Sequence, residues 1–182
     1  MLYIDKKCKK EVSIDYPLYQ SDKGKYFIGQ TPILSGQDGN TLAALYNPRC
    51  SNTNIYLNAI TVTNTSMLSI SAEIYLKSNF FGGIISNLIS CANTSIIPAP
   101  KPYGEIQYLD STTQTPICGV TIFGRIVSPY STLVIDGSQL IIGPGQSIIV
   151  YLGEYLPVSL NSTVVAFGWW EEEIPPCNTC HN

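Results

Sequence analysis

Charge is scarce in this chain: only 13% of its 182 residues are Asp, Glu, Lys or Arg, against roughly a quarter in an average soluble domain. Histidine is scarcer still, with His181 the single example. A Ser/His/Asp or Cys/His catalytic site needs an imidazole held on a rigid scaffold beside its nucleophile, and a histidine one position from the last residue is a poor candidate. There is no P-loop, dinucleotide fingerprint or helical metal motif, and Gly143-Pro144-Gly145 reads as a turn rather than a phosphate cradle. A carboxylate pair, Glu73 with Glu105 or Asp110, is the remaining catalytic option of a glycosidase kind, but carboxylates on strands are expected to face solvent. The expectation is therefore a protein that is not an enzyme and carries no cofactor. No apolar run reaches the roughly 20 residues of a spanning helix, and the first residues lack the apolar core of a secretory signal. Synthesis in a cytoplasm, without membrane insertion, is expected.

What replaces charge is Ser, Thr, Asn, Gln and Tyr, with a mean hydropathy of +0.12. A hydroxyl- and amide-rich surface suits coat and fibre proteins, whose packed faces would otherwise desolvate many charges. The charge that remains is polarised. Residues 1–25 hold six of the ten basic groups against four acids, four of them in the run Lys6-Lys7-Cys8-Lys9-Lys10. No arginine or aromatic platform is interleaved with these lysines, so nucleic acid is not the expected partner. At the other end Glu171-Glu172-Glu173 precedes Ile174-Pro175-Pro176-Cys177-Asn178-Thr179-Cys180. The chain divides into an arm (1–16), a body (17–173) and a tail (174–182). A body of this length can bury a core without covalent staples. Three sequons, at Asn64, Asn93 and Asn161, are expected to be Asn-rich turns rather than glycan sites.

The apolar period along the body is two. Ile70, Ala72, Ile74 and Leu76 alternate with Ser71, Glu73 and Tyr75, a half-buried strand. Residues 55–63 precede it across Asn64-Thr65-Ser66, which predicts a hairpin. Ser131–Ile135 and Ser138–Ile142 flank Asp136-Gly137, which predicts a second hairpin with a type I′ turn, and Gly143-Pro144-Gly145 turns the chain into Ser147–Leu152. Further strands are expected at 25–29, 42–46, 105–109, 119–127 and 162–170. Nothing of helical length is amphipathic. The pattern predicts an all-β antiparallel two-sheet sandwich of jelly-roll type. Residues 77–104 break the rhythm: they read either as an inter-subunit loop or lid, or as an extra edge hairpin followed by a proline spacer. In the last strand Thr163, Val165, Phe167 and Trp169 share the core face. Trp170 falls on the outer face, open to a sugar, a neighbouring subunit or its own chain.

Lys25-Tyr26-Phe27-Ile28-Gly29-Gln30-Thr31, Ser71-Ala72-Glu73-Ile74-Tyr75-Leu76, Phe123-Gly124-Arg125-Ile126-Val127 and Phe167-Gly168-Trp169-Trp170-Glu171-Glu172 resemble an uncharacterised domain family of endospore-forming Firmicutes, over residues 17–173. That resemblance supplies no catalytic residues. More loosely, the layout is similar to the jelly-roll subunits of endospore appendages, which implies an arm that docks into preceding subunits and is locked by disulfides. Cys8 fits that role; the Cys177/Cys180 tail departs from it.

Cys177-Asn178-Thr179-Cys180-His181 matches the C-x-x-C-H signature of haem attachment, yet no second axial histidine exists. A zinc site would want a second Cys/His pair at matching spacing. Disulfides are the more economical account: Cys8 is expected to pair with Cys177 or Cys180 of another subunit. The attraction of Lys6, Lys7, Lys9 and Lys10 to Glu171, Glu172 and Glu173 would guide the register. Cys50, Cys91 and Cys118 are either buried thiols or lateral cross-links. The sequence thus points to a self-assembling structural subunit of a spore-surface or other extracellular fibre or coat, whose partner is itself or other coat proteins. A viral capsid or tail protein is a variant of that reading. A carbohydrate-binding module using Trp170 and the 77–104 segment is the alternative.

Overall fold

The computed structural model describes residues 13–37, 39–156 and 162–175. Within them lie one short helix, α1 (Tyr16–Asp22), and the strands β1 (Tyr26–Gln30), β2 (Asn40–Tyr46), β3 (Thr53–Asn64), β4 (Ile70–Leu76), β5 (Ile84–Ile85), β6 (Ile89–Cys91), β7 (Glu105–Thr112), β8 (Val120–Val127), β9 (Ser131–Ile142), β10 (Ser147–Leu152) and β11 (Thr163–Glu173). They form two antiparallel sheets, a five-stranded one in the order β6-β1-β11-β3-β9 and a six-stranded one in the order β5-β7-β2-β10-β4-β8. Leaving aside β5 to β7, successive strands alternate between the sheets except for β4 and β8, which pair within the six-stranded sheet, the connectivity of a jelly roll.

That alternation corrects both predicted hairpins. β3 and β4 are consecutive but lie in different sheets, so Asn64-Thr65-Ser66 is a corner rather than a hairpin turn. Asn64 is 1% exposed, and its amide donates to the carbonyls of Leu68, Val127 and Ser128 at 2.7, 3.3 and 3.1 Å. It ties the corner to the end of β8, which leaves no amide free for a glycan. Asp136-Gly137 likewise does not reverse the chain. It lies inside the continuous strand β9, at a bulge where Leu57 faces Leu140 but Ala59 faces Asp136. A bulge admits the unpaired residues that an Asp-Gly pair would otherwise use for a turn. Reversal comes instead at Gly143-Pro144-Gly145, where Gly145 takes a φ of 74°, and the next strand, β10, enters the opposite sheet.

The inner faces meet in one core that includes Leu45, Ile55, Ile60, Ile74, Ile148 and Trp169. β2 and β10 are buried along nearly their whole length, because the outer face of the six-stranded sheet is also covered. There Leu42, Ala44, Ile149 and Tyr151 form a second apolar cluster roofed by Tyr75, Phe80 and Leu109. The continuous apolar runs of these strands reflect burial on both faces.

Residues 77–104 supply part of that roof through Phe80 and then extend both sheets on the same side, β5 beside β7 and β6 beside β1. The segment is thus a pair of edge strands followed by a proline-containing stretch. The second reading anticipated the edge position and the proline stretch, but β5 and β6 join different sheets and so form no hairpin.

Candidate functional site

The described residues bring chemistry together in three places: the end of the sandwich where β11 finishes, the outer face of the five-stranded sheet, and a cleft over β4 and β8.

At the first, β11 carries the Trp-Trp-Glu-Glu-Glu run. A register shift between Gly168 and Trp169 leaves Trp169 fully buried and Trp170 only 7% exposed. Trp170 stacks on Tyr56, with ring centroids 5.4 Å apart and planes 3° apart, and Tyr16 of α1 meets it edge-on at 5.9 Å. Its indole N–H donates to Glu172 at 3.2 Å. Of the three outer-face options, Trp170 therefore rests on its own chain and offers no open ring to a sugar.

Glu171 was expected on an exposed acidic strip, and the structure corrects this. It is 6% exposed and accepts three hydrogen bonds: Tyr103 N–H at 3.0 Å, Gly104 N–H at 2.8 Å and Trp169 Nε1–H at 3.0 Å. A buried carboxylate needs such donors, and here they fasten the end of the proline stretch to the core. Glu172 is also engaged, by Tyr16 Oη at 2.7 Å and Gln20 Nε2 at 2.8 Å, and that carboxylate raises the Tyr16 phenol above its usual value. Only Glu173 of the triplet is exposed.

The thiols divide by burial. Cys91 is 4% exposed and packs in the core, whereas Cys50 and Cys118 are free and exposed. Strand pairing brings the ends of β2 and β4 and the starts of β10 and β8 together, so Cys50 and Cys118 lie at one end of the sandwich. Ile174 N–H donates to Asn52 O at 3.0 Å, so the chain leaves β11 at that same end, close to Cys50. Tyr16 bonded to Glu172 brings the start of α1 there as well. Cys8, Cys177, Cys180, His181 and the four arm lysines lie outside the described residues, as does Asn161. Among the described residues no group of three His, Cys, Asp or Glu side chains could hold a metal ion.

The second place is a shallow groove of about 660 Å³ on the outer face of the five-stranded sheet. Small residues in register, Gly168 and Ala166 of β11 beside Ala59 and Thr61 of β3, form its floor. Leu88 and Ile89 form one wall.

The third place went unnoticed in the sequence. Glu73 belongs to the polar face of β4 and was expected to meet solvent, but it is 1% exposed and neither carboxylate oxygen has a hydrogen-bond partner. Burial pushes its carboxyl up to about 7; the Ser71 hydroxyl is near enough to oppose the shift without meeting hydrogen-bond geometry, and Glu154 adds to it. Burial also raises the Tyr75 phenol, which donates to Glu154 at 3.0 Å. Glu73 lines a cleft of about 590 Å³ together with Ser71, Gly124, Arg125, Ile126, Tyr155 and Leu156. Tyr155 and Leu156 bend over it because their backbone N–H groups donate to Ser71 Oγ at 3.0 and 3.2 Å. The other carboxylates once paired with it are elsewhere: Asp110 accepts from Ser35 N and Oγ at 2.7 and 2.9 Å, and Glu105 from Gln107 at 2.8 Å. Neither forms a catalytic pair with Glu73.

The model of a family of unknown function, DUF6143, matches residues 1–176. The chain belongs to that family. No curated protein and no solved structure matches it. DUF6143 brings no residue roles with it, so the reading of this member rests on its own geometry.

Proposed function

We propose that this DUF6143 chain is a self-assembling structural subunit of a fibre or coat, joined edge to edge and locked by disulfides. The observation that carries this reading is a pair of opposite apolar sheet edges, one long and unblunted at β8 and β9, the other shortened to the two residues of β5 and three of β6. On one side β8 and β9 each have a single strand neighbour and expose Val120, Ile126, Val134 and Ile141, all at 60% or more. On the other side β5 and its flanks expose Phe81 at 69%, Ile84 at 53% and Ile85 at 58%. Soluble proteins protect such edges with lysine, proline or a covering segment. β8 contains one charged residue and β9 one, with no proline in either. Two different apolar edges on opposite sides favour a head-to-tail contact, which yields a ring or an open filament rather than a closed dimer.

The exposed thiols Cys50 and Cys118, with Cys8, Cys177 and Cys180, supply cross-linking groups, and the lysine arm supplies a docking segment. A spore surface is the proposed location, and other coat proteins would be natural neighbours. The carbohydrate-binding alternative loses its main residue, because Trp170 is covered by Tyr56 and Tyr16.

Electron microscopy of the purified protein, with and without thiol reductant and after boiling in denaturant, tests the proposal. Ordered filaments that dissolve only with reductant are expected. A paired Ile126→Lys and Val134→Lys variant should keep its β-sheet circular dichroism and lose the filaments. Monodisperse particles of wild-type protein under every condition would refute assembly.

A further inference from the structure

The cleft over β4 and β8 holds the one described carboxyl whose two oxygens are both buried and unpartnered. A carboxylate desolvated without donors is costly, and evolution commonly tolerates such a group where a ligand completes it. The surroundings specify the ligand. Gly124 lies directly across from Glu73, and a side chain there would meet nothing within 4 Å, so the space beside the carboxyl is open. Ile126 and Leu156 give apolar walls. Arg125 also lines the cleft, but its guanidinium donates to Gly124 O at 2.9 Å and lies 4.8 Å from the Phe123 ring, and it makes no hydrogen bond to Glu73. An apolar slot ending in an unpaired carboxylate fits an alkyl stem tipped with an ammonium, the shape of a lysine side chain.

We propose that this cleft receives a lysine of the N-terminal arm of a second copy, one of Lys6, Lys7, Lys9 or Lys10. The inference rests on the assembly reading and gives the arm its receptor. The arm carries four of the chain's ten basic residues, while the cleft has Glu73 and, beside it, Glu154. Lys6, the farthest of the four, lies seven positions before Ser13, a backbone reach of about 25 Å.

Binding needs Glu73 ionised. The groups facing it are Glu154 and Tyr75, Tyr151 across the strand pair from β10, and Arg125 on β8; with the carboxyl titrating at about 7, affinity is set to fall as pH drops below that value, by roughly tenfold per unit.

The test uses the full-length chain with all four arm lysines changed to Gln, so that its own arms cannot fill the cleft. A fluorescent peptide of residues 1–12, with Cys8 as Ser, is titrated onto it at pH 8 and at pH 6. Saturable binding that weakens roughly tenfold or more in Glu73→Gln, and also in Gly124→Val, which fills the slot, and that falls at pH 6, is the expected result. Equal binding to the Glu73→Gln chain would overturn the proposal while leaving arm docking in place. Absent binding, with wild-type filaments still forming, would overturn it and leave the assembly reading intact. A Glu73 carboxyl carbon resonance that moves with n-butylammonium but not with the peptide would assign the cleft to a free amine and overturn the arm as occupant.

Discussion

Two glutamates in different sheets show how partners decide the fate of a buried carboxyl. Glu171 has three donors and fixes the chain around it; Glu73 has none. Replacing Glu171 with Ala removes those three bonds and strands two backbone N–H groups, at an expected cost of about 2–4 kcal/mol. Urea denaturation would read the loss, and limited proteolysis should cut first near residues 98–104. Glu73 should behave oppositely. It holds its proton more tightly folded than unfolded, so the protein binds more protons when folded between pH 4.5 and about 7, and Glu73 lowers stability as pH rises through that window. Below it the penalty is absent; above it the penalty is constant, at most about 3 kcal/mol. Glu73→Gln should therefore be more stable than wild type at pH 8 and nearly equal to it at pH 4, a difference that thermal melts at the two pH values will measure. Thiols follow the same logic of access: Cys50 and Cys118 should react with Ellman's reagent in the native, reduced protein, and Cys91 only after denaturation.

At the level of elements, the strands were legible because burial on one or both faces writes itself as alternation or as a continuous apolar run. The strands foreseen at 25–29, 42–46, 105–109, 119–127 and 162–170 all have counterparts. Which sheet each strand joins was not legible, since Asn64-Thr65-Ser66 and Asp136-Gly137 have turn chemistry whether the chain makes a hairpin, a corner or a bulge. The helix α1 was missed as well: seven residues with Pro17 in the first turn and little buried beyond Gln20 give no helical period to detect. Glu73 and Glu171 escaped for a related reason. A carboxylate reads as solvent-facing from sequence, and the segments that bury them, 153–156 and 98–104, come from remote parts of the chain. The outer position of Trp170 was legible by parity, but its cover by Tyr56 and Tyr16 was not.

For the whole molecule, the arrangement of ends matters most. α1 begins, β11 finishes, and Cys50 and Cys118 project at one end of the sandwich, so pairing within a chain competes with pairing between chains for the same thiols. Assembling equal amounts of ¹⁴N- and ¹⁵N-labelled protein and mapping disulfide-linked peptides by mass spectrometry separates the two. Mixed-label pairs involving Cys8 are expected to approach half of the total; their absence would confine each bond to a single chain. The adjacent tryptophans offer an optical view of the same end. Trp169 is sealed in the core, while Trp170 is shielded from water by two tyrosines, one of them carried on a helix of about two turns. Lifting that helix would expose one indole and not the other, so acrylamide quenching of fluorescence, resolved with a Trp169→Phe chain, can register detachment of the N-terminal segment without any added label.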